Sequence, residues 1–123
     1  MGPNGLPIGY SFKPDLEITP RQIKKSLDAG DPNLVLIDCR TKGEWQTARI
    51  EGARLIPLDE LASRIGEIES VADDETVIAV HCPHGSRSLR AALFLKQQGF
   101  KALSMAGGIV VGSLDVDPSV PRY

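Results

Sequence analysis

One short segment near the middle of the chain, "HCPHGSRS", holds the residues that could do covalent chemistry. Cys82 follows an apolar run that ends at His81, and four residues separate it from Arg87. A helical pattern begins at Ser88, so the cysteine should face the unpaired N–H groups and the positive dipole end of a helix. Gly85 lets the loop curl so that its N–H groups converge on an anion, and Arg87 adds a fixed positive charge.

Such a loop predicts a nucleophilic thiolate in a cup that can hold a second negative group, because these surroundings lower the pKa of a cysteine. Ser86 and Ser88 add hydroxyl donors. Attack on a phosphoryl group and attack on a sulfane sulfur both fit, and loop length separates them. Tyrosine-phosphatase-like loops place five residues between cysteine and arginine, whereas this chain has four and puts Ser88 at the phosphatase arginine position. The shorter loop favours sulfur chemistry, with arsenate reduction a minor alternative.

The other thiol and the histidines have plainer interpretations. Cys39 directly follows a buried strand and is interpreted as a structural thiol, with a resolving role left open because both strand ends should face one sheet edge. His81 is expected to have a satisfied hydrogen bond. His84 either tunes an anionic donor through its charge near pH 7 or is simply exposed. A metal site at His81, Cys82 and His84 is disfavoured because no second ligand cluster exists, and no cofactor is expected.

Length and composition limit the class of protein. The chain has 123 residues, 41% hydrophobic and 24% charged, as expected of one globular domain. Its formal net charge of −2 disfavours a nucleic-acid partner. No apolar stretch approaches the ~20 residues of a membrane helix, and the N-terminus does not resemble a secretory signal. Two cysteines are too few for a disulfide framework, so we expect a cytoplasmic protein. The sequence leaves open whether it is a monomer or a homodimer.

Strand and helix patterns alternate along the sequence. Leu34–Asp38 and Thr76–His81 are apolar runs typical of strands buried on both faces. Shorter strands are predicted at 16–18, 53–57 and 101–105, and helices at 19–30, 41–48, 58–68 and 88–99. This alternation predicts a parallel α/β sheet with helices on both faces, whose functional loops lie beyond the carboxyl ends of the strands. Both "CPHGSRS" and "DCRTKGE" follow such ends.

Several segments, in order, resemble the rhodanese-like sulfurtransferases. "CPHGSRS" looks like the active-site loop of that family, and "LVLIDCRTKGEW" resembles its strand ending in Asp-x-Arg with a glutamate soon after. "ARIEGARLIPLDEL" and "ALSMAGGI" resemble two further family segments, the second its Gly-Gly-Ile turn. The tail "DVDPSVPRY" resembles the end of rhodanese domains fused to adenylyltransferases that activate sulfur-carrier proteins. Three departures are Gly112, where the family usually has tryptophan, the pair Arg49 and Glu51, which replace a usual histidine and proline, and Pro83, which lacks an N–H donor.

The resemblance implies a roughly five-stranded parallel sheet over residues 15–115, with a lead-in at 1–14 and a tail at 116–123. It implies that Cys82 accepts sulfane sulfur as a persulfide. Asp38 and Arg40 match the structural Asp-x-Arg, and Arg40 is expected to pair with Glu44. The residues implied to bind the sulfur group are His84, Gly85, Ser86, Arg87 and Ser88.

The sequence therefore predicts a sulfurtransferase without metal or cofactor. Its donor would be a small anionic molecule such as thiosulfate, or a persulfide, and its acceptor cyanide, a thiol or a sulfur-carrier protein. The alternative is a catalytically idle rhodanese-like module that binds a partner, such as a sulfur-carrier activating enzyme. The intact Cys82 and Arg87 favour the enzyme.

Overall fold

A computed structural model of the chain describes residues 12–47, 49–50, 52–82 and 86–106. Five parallel strands form one sheet in the order β1-β5-β4-β2-β3. The strands are β1 (Glu17–Ile18), β2 (Leu34–Asp38), β3 (Arg54–Leu55), β4 (Val77–His81) and β5 (Lys101–Met105). The Gly-Gly-Ile turn, Gly112 and the tail lie outside the described residues, as does the loop segment 83–85.

Four α-helices accompany the sheet: α1 (Pro20–Asp28), α2 (Lys42–Thr47), α3 (Ile65–Glu69) and α4 (Ser86–Gln97). Helix α1 begins as predicted, because Thr19 and Gln22 form a reciprocal capping box and Pro20 occupies the first turn. No helix in the described part of the chain is long and apolar enough to cross a membrane.

Helices cover the sheet on both faces, which confirms the predicted architecture. Successive residues of a strand point to opposite faces. Accordingly, Leu36 of β2 packs in one apolar cluster with Ile23 of α1, whereas Ile37 packs in a second cluster with Ile68 of α3 and Leu95 of α4. Strands β2 and β4 are buried on both faces of the sheet, which explains why their sequences are continuous apolar runs rather than alternating ones.

The segment predicted as one helix over 58–68 is instead broken in two. A 3-10 helix spans Leu58–Glu60, and α3 begins only at Ile65. The Ser63 hydroxyl donates to the Glu60 carbonyl at 3.0 Å, and Arg64 leaves the helical region with a φ of −110°. A serine side chain that bonds a nearby carbonyl competes with the helical ladder. The apolar spacing continues through the break, which is why the sequence predicted a single helix.

The pairing of β2 with β4 brings together the two loops singled out above. Asp38 and His81, the last residues of the two strands, are direct partners in the parallel register. The next backbone bond also forms, because the Cys39 N–H donates to the His81 carbonyl at 3.2 Å. Cys39 and Cys82 therefore leave the same sheet edge side by side.

Candidate active site

Cys82 lies between the end of β4 and the first turn of α4. Its side chain is buried, with 1% exposed. The Ser88 N–H donates to Cys82 Sγ at 3.3 Å, and the thiol in turn donates to Ser88 Oγ at 3.3 Å. Ser88 is the third residue of α4, so its N–H belongs to the first turn, whose donors point out of the helix. The sulfur thus rests on the positive end of the helix, as the sequence predicted.

A second hydroxyl continues this contact into the sheet. Ser88 Oγ lies 2.7 Å from Ser104 Oγ of β5, and both serines are buried. Two hydroxyl groups in a row can reverse their hydrogen bonds, donating toward a thiolate or accepting from a thiol. Ser104 was not among the residues predicted from the sequence. It could have been noticed as a polar residue in a predicted strand, because a buried polar side chain needs a hydrogen-bond partner.

Arg87 and Glu44 join α4 to α2. The guanidinium donates through two nitrogens to the two carboxylate oxygens, at 2.8 and 3.0 Å. Glu44 also completes a capping box with Thr41 at the start of α2, at 3.0 and 3.2 Å. The expected pairing of Arg40 with Glu44 is therefore wrong. Glu44 reaches across to the loop arginine, and this bidentate pair fixes the start of α4 against the loop after β2.

Arg40 turns back instead to Asp38, two residues earlier. Its Nε and Nη2 atoms donate to the Asp38 carboxylate at 2.7 to 3.0 Å, and its backbone N–H donates to Oδ1 at 3.0 Å. Both side chains are fully buried, whereas Glu44 is 24% exposed. A buried guanidinium needs its partner within the same dry region, which Asp38 provides and Glu44 does not.

His81 lies beside this pair and corrects another expectation. Neither ring nitrogen has a hydrogen-bond partner among the described residues, since Nε2 stands 3.7 Å from Asp38 Oδ2. Burial lowers the pKa of His81 from 6.5 to about 4, more than the Asp38 carboxylate raises it. His81 is therefore neutral at pH 7 and adds no charge beneath Cys82.

Cys39 lies beside Cys82 in the same buried cluster. The Cys39 thiol donates to the His81 carbonyl at 3.5 Å. A hydrogen bond with Cys82 raises the pKa of the Cys39 thiol, and burial raises it further. Cys39 is therefore a protonated neighbour of the candidate nucleophile. Its place beside Cys82 agrees with the expectation that both strand ends face one sheet edge.

Of the sequence-predicted site residues, the structure brings together those on β2, α2 and α4. Arg87 and Ser88 flank Cys82 from the helix, and the charge of Cys82 helps to raise the pKa of Arg87 after the stronger effect of Glu44. His84, Gly85 and the side chain of Ser86 lie outside the described part of the chain, so their predicted contacts with the sulfur group stay predictions.

The Arg87–Glu44 contact carries a testable pH dependence. The Arg87 guanidinium lowers the pKa of Glu44 from 4.5 to about 2. A carboxyl with a depressed pKa stabilises the fold above its unfolded pKa, and this contribution is lost as the pH falls from about 4.5 to about 2. Glu44→Gln should therefore lower the free energy of unfolding by about 1.5 to 3 kcal/mol at pH 7. This difference from wild type should shrink toward zero as the pH falls toward 2.

Urea denaturation at a series of pH values measures this difference. Glu69→Gln is the matched control, because Glu69 is exposed on α3. Its effect on the free energy of unfolding at pH 7 should stay below about 1 kcal/mol, because an exposed surface charge contributes little. A Glu44→Gln deficit that stays constant down to acid pH would contradict the ionic contact with Arg87.

Comparison with known proteins agrees with this geometry. The sequence model of the rhodanese-like domain matches residues 19–113, most of the chain. This chain belongs to the rhodanese-like family. A protein named sulfurtransferase from Allochromatium vinosum is 31% identical over 83 residues, which cover 67% of this chain and 74% of that protein. The rhodanese-like assignment predicted from the sequence is thereby confirmed.

Two further similarities concern the wider family. A probable adenylyltransferase/sulfurtransferase of Mycobacterium tuberculosis, MoeZ, is 36% identical over 107 residues, covering 86% of this chain and 26% of that protein. The chain thus spans about a quarter of the length of that curated relative. The crystal structure of a rhodanese-like domain protein from Staphylococcus aureus superposes with a TM-score of 0.67 at 24% identity, covering 88% of this chain and 98% of that one. That likeness shows the shared fold.

Proposed function

We propose that this rhodanese-like chain transfers sulfane sulfur through a persulfide on Cys82. The observation that carries the proposal is the position of Cys82 Sγ, buried at the first turn of α4 and bonded by the Ser88 N–H. A thiolate is stabilised at such a helix N-terminus. The family and the sulfurtransferase names of its relatives support sulfur transfer as the class of reaction.

The cycle has two stages, with the sulfur held covalently in between. In the first, the Cys82 thiolate attacks the outer sulfur of the donor. The donor's S–S bond breaks, and with thiosulfate as donor the leaving group is sulfite. In the second, cyanide or a thiolate attacks the outer sulfur of the persulfide, and Cys82 leaves again as a thiolate. Its charge is then received by the Ser88 N–H and hydroxyl.

The loop would supply the surroundings of the transferred sulfur. Backbone N–H groups from His84 to Ser88 are proposed to converge on the outer sulfur, with Gly85 permitting the curl. Arg87 would close the cup, held in place by its pair with Glu44. Because two of its nitrogens bind Glu44, Arg87 serves to fix the loop end and to supply positive charge rather than to grip the donor by a free fork.

The donor and acceptor belong to the same proposal. A small anion such as thiosulfate suits a cationic cup, and a persulfide would react in the same way. The relative named adenylyltransferase/sulfurtransferase supports a protein acceptor, a sulfur carrier made reactive by adenylylation. Two buried free thiols fit a reducing compartment such as the cytoplasm. We propose that the domain occupies residues 15–115.

Intact mass spectrometry tests the covalent step. Incubation with thiosulfate should add about 32 Da, one sulfur atom, and cyanide should remove it. Digestion under non-reducing conditions should locate the added sulfur on the peptide that contains Cys82. Cysteine persulfide serves as a second donor. No adduct with either donor would contradict sulfur transfer and would favour the idle module that binds a protein partner.

A further inference from the structure

Two buried thiols lie side by side at one sheet edge of this chain. Cys39 and Cys82 directly follow residues that pair in the parallel register, Asp38 and His81. Paired strands stand about 4.8 Å apart, and a disulfide requires a Cα separation of about 4.4 to 6.8 Å. The side chains also lie close together, because both thiols belong to one buried cluster and the Cys39 thiol donates to the carbonyl of His81, the residue before Cys82. The backbone thus already has the spacing of a disulfide.

We propose that Cys39 is a resolving thiol that attacks the Cys82 persulfide, forming a Cys39–Cys82 disulfide and releasing hydrosulfide. This inference rests on the proposed function, since it begins from the loaded enzyme. It gives the chain a second outcome besides transfer to an external acceptor. The sulfur leaves in fully reduced form, and the site stays closed to a new donor until a thiol reductant opens the disulfide.

The reaction balances without any further oxidant. The outer sulfur of the persulfide first takes the proton of the Cys39 thiol, which leaves Cys39 as a thiolate. This thiolate attacks Cys82 Sγ, and the new Sγ–Sγ bond forms as the bond between Cys82 Sγ and the outer sulfur breaks. The electron pair of the broken bond stays on the outer sulfur, which leaves as HS⁻. The two cysteine sulfurs are oxidised, and the sulfane sulfur is reduced by the same two electrons.

The arrangement of the two thiols favours attack by Cys39 on Cys82 Sγ, the inner sulfur of the persulfide. This attack is possible only after sulfur has been loaded. Before loading, both thiols lie in the same buried cluster, and two thiols cannot join without losing electrons. Loading supplies the oxidising equivalent on Cys82 Sγ, beside Cys39. Ser88 holds Cys82 Sγ from the helix side through its N–H, so that Cys39 faces the sulfur from the neighbouring strand.

The fate of the persulfide therefore depends on a competition. An external acceptor must enter a site where both cysteines are 1% exposed, whereas Cys39 is already in place. With abundant acceptor, transfer outruns the internal reaction. Without acceptor, the chain discharges its sulfur and stops. The proposal thus predicts a persulfide whose lifetime is set by Cys39.

The experiment follows the loaded protein in the absence of acceptor. Wild type and Cys39→Ser are loaded with thiosulfate, or with cysteine persulfide if thiosulfate does not load, then desalted and kept anaerobic. Samples are quenched with iodoacetamide for intact mass, and released sulfide is measured in parallel. Unloaded wild type is incubated alongside to exclude adventitious oxidation. Circular dichroism checks the fold of Cys39→Ser, with Cys39→Ala as a second variant.

Wild type should pass from about 32 Da above the reduced mass to about 2 Da below it, releasing one equivalent of sulfide per disulfide. Cys39→Ser should keep its added sulfur and release sulfide at least about tenfold more slowly. Loading without disulfide, or equal decay in both proteins, would overturn this inference and leave the proposed function standing. With both donors, absence of added sulfur and of disulfide in wild type, together with absence of added sulfur in Cys39→Ser, would contradict the proposed function and this inference together.

Discussion

Replacing Cys82 by serine should lower sulfur transfer from thiosulfate to cyanide at least about a thousandfold, because the covalent intermediate cannot form. A hydroxyl in the same place is a weak nucleophile toward sulfane sulfur, and it cannot hold the sulfur between donor and acceptor. Thiocyanate formation measures the rate under saturating donor. The substitution changes one atom at a buried position, so the fold should remain.

Cys39→Ser is the matched comparison, since it makes the same atomic change at the adjacent strand end. It should lower the rate less than about threefold with excess cyanide, because cyanide removes the sulfur before the internal reaction. Equal loss from both substitutions would contradict the assignment of Cys82 as the sole sulfur acceptor. If Cys82→Ser kept the wild-type rate of thiocyanate formation, the nucleophile would be another residue of the chain.

The positions of the site residues could be predicted from the sequence, because strand ends and helix starts leave local signals. The apolar run ending at His81 places Cys82 at the sheet edge, and the structure agrees. The alternation of strands and helices likewise predicted the parallel sheet. Both inferences use only residues close together in the chain, where spacing determines structure.

Side-chain partners could not be predicted in the same way, because they depend on which residues are buried and on the distances between separate elements. The spacing of Arg40 and Glu44 is compatible with a pair, yet each has another partner. Arg40 is fully buried and binds Asp38, which leaves Glu44 to Arg87 across 43 residues of sequence. Ser104 is distant from Cys82 in the sequence and reaches the site only because the chain folds back beside Ser88.

These partner choices give the site two layers of different character. The buried layer, Asp38 with Arg40, holds the turn after β2, where the Asp38 carboxylate also accepts the Arg40 N–H. The outer layer, Arg87 with Glu44, is partly exposed and fixes the start of α4. Cys82 lies where the two loops meet. A defect in the buried layer should therefore affect the whole fold, whereas a defect in the outer layer should act chiefly on the loop.

The buried layer can be tested by Arg40→Met, which should lower the free energy of unfolding by about 3 to 5 kcal/mol. The substitution keeps an apolar chain of similar length but leaves the Asp38 carboxylate buried without the guanidinium that binds it at 2.7 to 3.0 Å. Urea denaturation measures the loss. Arg64→Met is the matched control, because Arg64 is 31% exposed and pairs with Glu60 and Glu67 at the surface. Its effect should stay below about 1 kcal/mol.

A double substitution separates the cost of an orphaned charge from the value of the pair itself. Arg40→Met combined with Asp38→Leu removes both charges and should recover part of the stability lost in Arg40→Met alone. Recovery should be incomplete, since the Arg40 N–H also loses its acceptor, Asp38 Oδ1. Equal losses for Arg40→Met and Arg64→Met would contradict the buried pair. A double variant less stable than Arg40→Met would show that the Asp38 carboxylate stabilises the turn even without its guanidinium partner.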